Sequence, residues 1–136
     1  MGSSATAFLP TKGKQLAETP SWTVSGRAEW DVTKIVHLGL EGKWVDDRYA
    51  TDVNDEVAPG YTVIDADLRF DIPDGIIGLK NSYLQFNVSN LTDAHYLGSI
   101  SSRNNAITIP GVQTGSAPTY NIGSPRTFQV SLKAAF

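Results

Sequence analysis

From Tyr61 to Ile72 the side chains alternate without a break. Thr62, Ile64, Ala66, Leu68, Phe70 and Ile72 share one parity, and Tyr61, Val63, Asp65, Asp67, Arg69 and Asp71 the other. Successive side chains of a strand point to opposite faces, so this is a ribbon with a greasy surface and a charged one. Four other stretches repeat the pattern. Over 21–32, Trp22, Val24, Gly26, Ala28, Trp30 and Val32 oppose Thr23, Ser25, Arg27, Glu29 and Asp31. Over 35–49, Val36, Leu38, Leu40, Gly42 and Trp44 oppose His37, Gly39, Glu41 and Lys43. Over 82–91, Leu84, Phe86 and Val88 oppose Tyr83, Gln85, Asn87 and Ser89. Over 126–136, Phe128, Val130, Leu132, Ala134 and Phe136 oppose Thr127, Gln129, Ser131, Lys133 and Ala135. No segment keeps a 3.6-residue period, so no long helix is expected. The expected fold is all-β, an antiparallel up-and-down meander of about five long strands.

The connections differ in length. Residues 1–19, with Gly2, Pro10 and Gly13, read as a loop-like lead-in, and Pro20 suits the mouth of a strand because it cannot donate to a ladder. Thr33-Lys34 makes a tight reversal, and residues 73–81 make a modest turn opened by Pro73-Asp74-Gly75. Residues 50–60 form an acidic loop closed by Pro59-Gly60, and 92–125 a polar loop far above the usual connection length. Short and long connections therefore alternate, which in a meander puts short turns at one rim and long loops at the other.

Composition narrows the class further. A net charge of −3 gives no reason to expect nucleic acid as a partner. With no cysteine, disulfides and thiolate-bound metals are out. No apolar run approaches the roughly 18–20 residues of a spanning helix, and the start lacks the basic and apolar regions of a secretory signal.

Strand length and face chemistry point to lipid. A globular strand averages about five or six residues, whereas a tilted strand crossing a bilayer needs about 9–11. The polar faces carry Arg27, Glu29, Glu41, Lys43, Asp65, Asp67, Arg69 and Lys133, which suits a hydrated or plugged lumen. Large apolar side chains left in water cost on the order of 1.5–3 kcal/mol each. Five strands cannot close a barrel, and open edges in hydrocarbon leave unpaired amides. The chain is therefore expected to be the carboxy-terminal piece of a larger transmembrane barrel. A soluble β-sandwich or small lipocalin-like barrel binding a carbohydrate or other ligand is the rival, but it needs turn signals every 8–12 residues or so. Self-association of the isolated fragment is a third arrangement.

Four stretches carry a family resemblance. They are Pro20 leading into its strand; Gly60-Tyr61-Thr62-Val63-Ile64-Asp65; Asn87-Val88-Ser89-Asn90-Leu91-Thr92-Asp93-Ala94-His95-Tyr96; and Gly123-Ser124-Pro125-Arg126-Thr127 running to Phe136. In this order and spacing, the chain from about Gly13 to Phe136 resembles the carboxy-terminal third of the barrel of TonB-dependent receptors. The resemblance implies a 22-stranded outer-membrane barrel of which these are the last five strands, with short turns toward the periplasm and long loops outside. It also implies import of a scarce nutrient (siderophore-iron, haem, cobalamin or oligosaccharide) driven by TonB through an amino-terminal plug. Plug, TonB-contacting segment and the earlier strands are not in this sequence, so TonB is expected to act only through the parent's plug. No cofactor is expected.

Particular residues then take expected roles. Phe128, Val130, Leu132 and Phe136 resemble the signal that the barrel-assembly machinery reads by strand addition. Gly60, Tyr61, Asp65, Asn87, Asn90, Leu91, Asp93, Tyr96, Gly123, Pro125 and Arg126 are the motif positions, with Asn90 and Asp93 expected to shape the strand exit through Asx turns. The sequons at Asn87 and Asn90 read as chance in a barrel strand. Asp65, Asp67, Asp71 and Glu41 read as a structural network neutralised by Arg69, Lys43, Arg27 and Lys133. His37 and His95 show no ligand spacing, and the loop charges Asp46, Asp47, Arg48, Asp52, Asp55 and Glu56 read as solvated. Tyr96, Arg103, Asn104, Asn105, Gln113 and Tyr120 are the candidate ligand residues of the long loop. No catalytic pattern is found and no metal site is expected.

Overall fold

The computed structural model describes residues 10–111 and 114–136, so Gln113 lies outside the described residues. Its strands are β1 (Thr23–Thr33), β2 (Val36–Val45), β3 (Arg48–Tyr49), β4 (Val57–Ala58), β5 (Tyr61–Ile72), β6 (Ser82–Ser89), β7 (Leu97–Ser101), β8 (Thr119–Ile122) and β9 (Thr127–Lys133). Five of them form one sheet in the order β1-β2-β5-β6-β9, a meander in which no strand is skipped except by the short hairpins between. β5 pairs antiparallel with β6, and β6 with β9.

The register turns sequence parity into rows. Phe70, Leu84 and Leu132 lie side by side, as do Leu68, Phe86 and Val130, and Ala66, Val88 and Phe128. On the other parity run Asp71, Tyr83 and Lys133, then Arg69, Gln85 and Ser131, then Asp67, Asn87 and Gln129. Cross-strand apolar neighbours stabilise such a pair, and Phe70 meets Phe86 edge-on at 6.2 Å. The apolar rows are nevertheless uncovered. Phe128, Val130 and Leu132 are 71%, 61% and 67% exposed, and Val24, Trp30, Val32 and Trp44 are exposed as well. Among the described residues the buried apolar side chains are Val45, Ala50, Val53, Ala58 and Ile100, none from the body of the sheet. A sandwich or small ligand-binding barrel would have hidden this face. The greasy surface is instead left uncovered, the alternation that strands of a membrane barrel carry.

The chain divides into two compact units. The sheet unit comprises Thr23–Trp44, Thr62–His95 and Ser124–Phe136. The other comprises the described part of Met1–Trp22 with Val45–Tyr61 and Tyr96–Gly123. In it β3 pairs with β4 and β7 with β8, and Ala50, Ala58 and Ile100 form a small core against Leu97 and Tyr120.

Several boundaries differ from the sequence reading. The stretch 92–125 is not one structureless loop, because it holds the β7–β8 hairpin. A register shift between Leu97 and Ser99 breaks the alternation there, which hides the strand from a period-two search. The stretch 35–49 does not run through: β2 stops at Val45. Asp46 Oδ1 then accepts from the Asp47 N–H (3.0 Å) and Asp47 Oδ1 from the Gly60 N–H (2.6 Å), so short acidic side chains take over from the ladder. Lys34-Ile35, rather than Thr33-Lys34, forms the first reversal. The last strand ends at Lys133, leaving Ala134, Ala135 and Phe136 beyond it.

Candidate functional site

Three clusters of polar side chains have the geometry of built sites. The first lies on the charged face of the sheet. Arg27 pairs with Asp67 (2.8 Å), Glu29 (2.7 Å) and, more loosely, Glu41 (3.6 Å), while Arg69 pairs with Asp71 (2.6 Å). His37 stands between Asp31 (2.6 Å) and Asp71 (3.0 Å), which joins β1, β2 and β5 in one chain of contacts. All of these except Glu41 line a concavity of about 400 Å³. Arg27 and Arg69 are the cations of the expected network, and His37, which shows no ligand spacing in the sequence, joins it as a bridge. Lys43 makes no ion pair among the described residues, and Lys133 stands 5.8 Å from the Tyr83 ring, with Arg69 at 4.2 Å. Because these groups are water-accessible, each pair contributes little alone, and what they supply is a wetted, ion-paired wall in which acids outnumber cations.

The second cluster is the strand exit after β6. Asn90 is 2% exposed and sits at φ +53°, a left-handed conformation that Asn tolerates better than most residues. Its Nδ2 donates to the carbonyls of Ala94 (2.9 Å) and Ser124 (3.1 Å), and its Oδ1 accepts from the Ala94 N–H (2.8 Å). Its own N–H donates to Asp65 Oδ1 (2.7 Å), so the expected ion-pair partner of Asp65 is replaced by backbone. Asp93, also at positive φ, accepts the Arg126 N–H on Oδ1 (3.2 Å). The Leu91 N–H donates to the Ile64 carbonyl (2.6 Å), and Thr127 Oγ1 to that of Pro125 (3.1 Å). Asn87 lies within β6 instead, accepting from Gln85 Nε2 (2.8 Å). Motif residues from three separate stretches thus meet to tie β5, β6 and the entry of β9.

The third cluster is in the loop unit, where other residues of the same three motif stretches meet. Tyr61 stacks on Tyr96 at 4.3 Å between ring centroids, and Arg48 stands 5.6 Å from the Tyr61 centroid. The buried Arg48 guanidinium also donates to the carbonyls of Leu97 and Gly98. The Gly123 N–H donates to the Tyr96 carbonyl (2.7 Å), and a Cβ at Gly123 would fall inside the Tyr96 ring. Gly123→Ala is therefore expected to push Tyr96 off its stack and cost about 1–3 kcal/mol, as overpacking does. Thermal unfolding of the single variants and of Gly123→Ala/Tyr96→Ala checks this. Removing the ring should make the second substitution nearly silent, and strict additivity would contradict the contact.

Further along the same unit, Asp55 holds residues 102–107 in place. Its carboxylate accepts the Ala106 N–H on both oxygens (3.0 Å each), the Ile107 N–H (3.1 Å) and the Thr51 hydroxyl (2.7 Å). Burial is the largest single influence on its pKa and pushes it up. The donors from Ala106, Thr51 and Ile107 together outweigh it and hold the carboxyl below its ordinary value. Glu18, held down by its hydrogen bonds to Ser102, secures the same segment through the Ser102 N–H (3.0 Å). Tyr120 donates to Glu56 (3.2 Å), and burial, then the Glu56 charge, raises its hydroxyl. Asp55 and Glu56 are thus not idle loop charge. Asp55 as an anchor is not visible in the sequence, where it is one more acid four residues before Pro59.

The six candidate ligand residues separate accordingly. Tyr96 stacks on Tyr61, Tyr120 donates to Glu56, and Asn105 is buried with its Nδ2 on the Ile107 carbonyl (2.7 Å). Arg103 and Asn104 remain at the surface, where with Ser102, Asn105, Thr114 and Ser116 they line a polar hollow of about 320 Å³.

Comparison with known proteins fits this arrangement. Residues 3–91 match the family described as TonB dependent receptor-like, beta-barrel. The ferrioxamine receptor of Yersinia enterocolitica is 30% identical over 78 residues, 57% of this chain. The ferric-catecholate import receptor Fiu of E. coli K12 superposes in its open form with a TM-score of 0.60 at 24% identity over 84% of the chain. Its closed form does so with 0.63 at 22% over 93%. Both Fiu structures speak to the fold. The chain spans only 11% of the ferrioxamine receptor and 15–16% of Fiu. With an uncovered greasy face, ion pairs on the opposite face and a family match over more than half its length, this chain belongs to the β-barrel of the TonB-dependent receptors, which are receptors and transporters, not enzymes.

Proposed function

We propose that this chain forms wall and lumen lining of an outer-membrane receptor that imports an iron-siderophore chelate. The observation that carries the wall role is the sheet itself, with apolar rows exposed on one side and ion pairs on the other. The cargo class is drawn from the relatives, whose names specify ferrioxamine and ferric catecholates. Long loops face outward in this reading and short turns the periplasm, with the plug of the parent seated against the charged face and coupled to TonB. The hollow at Arg103 and Asn104 is the ligand-facing part of the long loop in this chain.

Uptake of radiolabelled iron by cells that depend on the full-length receptor tests the cargo. Deleting the receptor should abolish uptake of iron supplied as a siderophore chelate. Loss of haem, cobalamin or oligosaccharide uptake with iron uptake intact would overturn the assignment. Arg103 makes no ion pair among the described residues, so Arg103→Ala should weaken binding of an anionic chelate severalfold in a titration, while Tyr120→Phe should change it little. Phe128, Val130, Leu132 and Phe136 serve the assembly machinery in the same reading. Removing Phe136 should slow membrane insertion of the parent, and unaltered insertion kinetics would remove that role.

A further inference from the structure

We propose that Glu18, ahead of β1, is a positioning residue for the hollow at Arg103. Its carboxylate fixes the backbone that carries Arg103, so that the guanidinium meets an anionic chelate already in place. This role rests on the reading of that hollow as ligand-facing, and it extends the site to a stretch of chain outside its lining residues.

The wall that carries Arg103 is held from two sides. The Arg103 N–H donates to the Ala50 carbonyl (3.1 Å), and the carbonyls of Arg103 and Asn104 accept from the N–H groups of Asp52 (3.1 Å) and Val53 (3.2 Å), making a parallel bridge of Thr51 with Arg103. The Ser102 N–H lies outside that bridge and goes to Glu18 Oε1 (3.0 Å). Glu18 is itself fastened to the chain that forms the bridge. Its N–H donates to the Tyr49 carbonyl (2.7 Å), while the Gln15 N–H reaches Asn54 Oδ1 (2.8 Å) and Asn54 Nδ2 the Gln15 carbonyl (2.9 Å). The carboxylate is thus delivered to Ser102 from a support tied at both ends of the stretch 49–54.

Backbone strain marks the same residue. Glu18 sits at φ 65°, third in the turn Leu16–Thr19, which the Thr19 N–H closes on the Leu16 carbonyl (3.4 Å). Four of the five other non-glycine residues at positive φ among those described are Asn or Asp, whose short side chains suit that region. Glycine would make this turn without strain. What glutamate adds is an acceptor with the reach to Ser102, strain kept for a task rather than for the turn. Arg103 is exposed and pairs with no carboxylate among the described residues, and a fixed backbone beneath it reduces the freedom lost when a ligand orders it. Charge alone assigns Glu18 the opposite effect. A carboxylate beside the hollow repels an anion, so on that ground its removal tightens binding. Positioning makes its removal weaken binding, and the sign separates the two.

The test titrates the full-length receptor with ferric tris-catecholate, an anion, and follows thermal unfolding of the same samples. Glu18→Gly removes the carboxylate but accepts the positive φ. Stability should be kept or rise, while affinity should fall about two- to ten-fold, the effect of holding one long side chain in its bound position. Glu18→Gln keeps an oxygen for the Ser102 N–H and should recover the affinity or exceed it, because the repelling charge is gone. On an Arg103→Ala background Glu18→Gly should be nearly silent. If Arg103→Ala weakens binding and Glu18→Gly leaves it unchanged or tightens it, the hollow stands and Glu18 does not position it. A Glu18→Gly loss that is as large without Arg103, or that comes with a matching loss of thermal stability, also overturns the role. No effect of Arg103→Ala, or no binding by the wild type, removes the hollow as a ligand site and the role of Glu18 with it.

Discussion

Asn90→Ala should destabilise the barrel by about 3–5 kcal/mol, the largest effect expected of a single side chain outside the apolar rows. The figure has separable parts. Three side-chain hydrogen bonds disappear, to the Ala94 carbonyl, the Ser124 carbonyl and the Ala94 N–H. Each contributes about 1 kcal/mol net, and the abandoned partners in a buried site add desolvation that nothing offsets. Alanine at φ +53° adds about 1–2 kcal/mol that asparagine largely avoids. Two further variants divide the sum. Asn90→Gly removes the bonds but accepts the backbone, so it should be milder than alanine. Asn90→Asp keeps the acceptor for Ala94 and sets a second carboxylate near Asp65, whose Oδ1 already accepts the Asn90 N–H. It should fall between wild type and alanine and improve as pH drops. Urea titration of the full-length receptor in lipid would measure all three. A loss under about 1 kcal/mol for alanine would mean that water replaces the side chain and that the exit is not a fastening point.

Asn90 also shows what a single sequence can and cannot display. The faces of the long strands were legible because period-two parity is a local property, and the register carries it intact from Phe70 to Leu84 to Leu132. That the greasy face would stay uncovered was legible too, since no other stretch offered a layer to cover it. Partners were less so. Asp65 and Arg69 belong to one charged row, yet Asp65 serves the Asn90 backbone while Arg69 holds Asp71. Which acid meets which cation depends on side-chain reach across strands, and that is set by register and twist rather than by parity. The bridge at His37 is hidden for the same reason, because its two carboxylates come from β1 and β5 on either side of β2.

The loop unit was the least legible part. Its short strands carry a bulge and too few residues to establish a period, and its order comes from side chain to backbone bonds between distant stretches. Gln15 and Asn54 exchange two such bonds across 39 residues, and Asp55 reaches Ala106 across 51. Composition records such residues only as polar. The motif stretches that carried the family resemblance were more informative, since Tyr61, Tyr96 and Gly123 meet in one contact and Asp65, Asn90, Asp93 and Arg126 form another cluster.

Asp55 therefore makes the sharpest prediction for that unit. Asp55→Ala should lower the free energy of local opening over residues 102–107 by about 2–4 kcal/mol, because bonds to an ionised acceptor are stronger than neutral ones. Native-state hydrogen exchange at the Ala106 and Ile107 amides reads it directly. Asp55→Asn tests the charge itself, since one amide oxygen can accept but the nitrogen would face the Ala106 N–H; it should lose nearly as much. The pH dependence has a fixed sign. The carboxyl is held below its ordinary value when the segment is closed, so the closed form binds fewer protons than the open one. Its stabilisation is complete above the ordinary value of about 3.9 and is lost as pH falls through the depressed one. Protection at these amides should thus be flat from neutral pH to about 5 and fall below about 4, after correction for intrinsic exchange rates. In Asp55→Asn that acid-side loss should vanish. If the variant and the wild type lost protection together in acid, another group would be the fastening, and Glu18, which accepts the Ser102 N–H in the same unit, would be the one to substitute next.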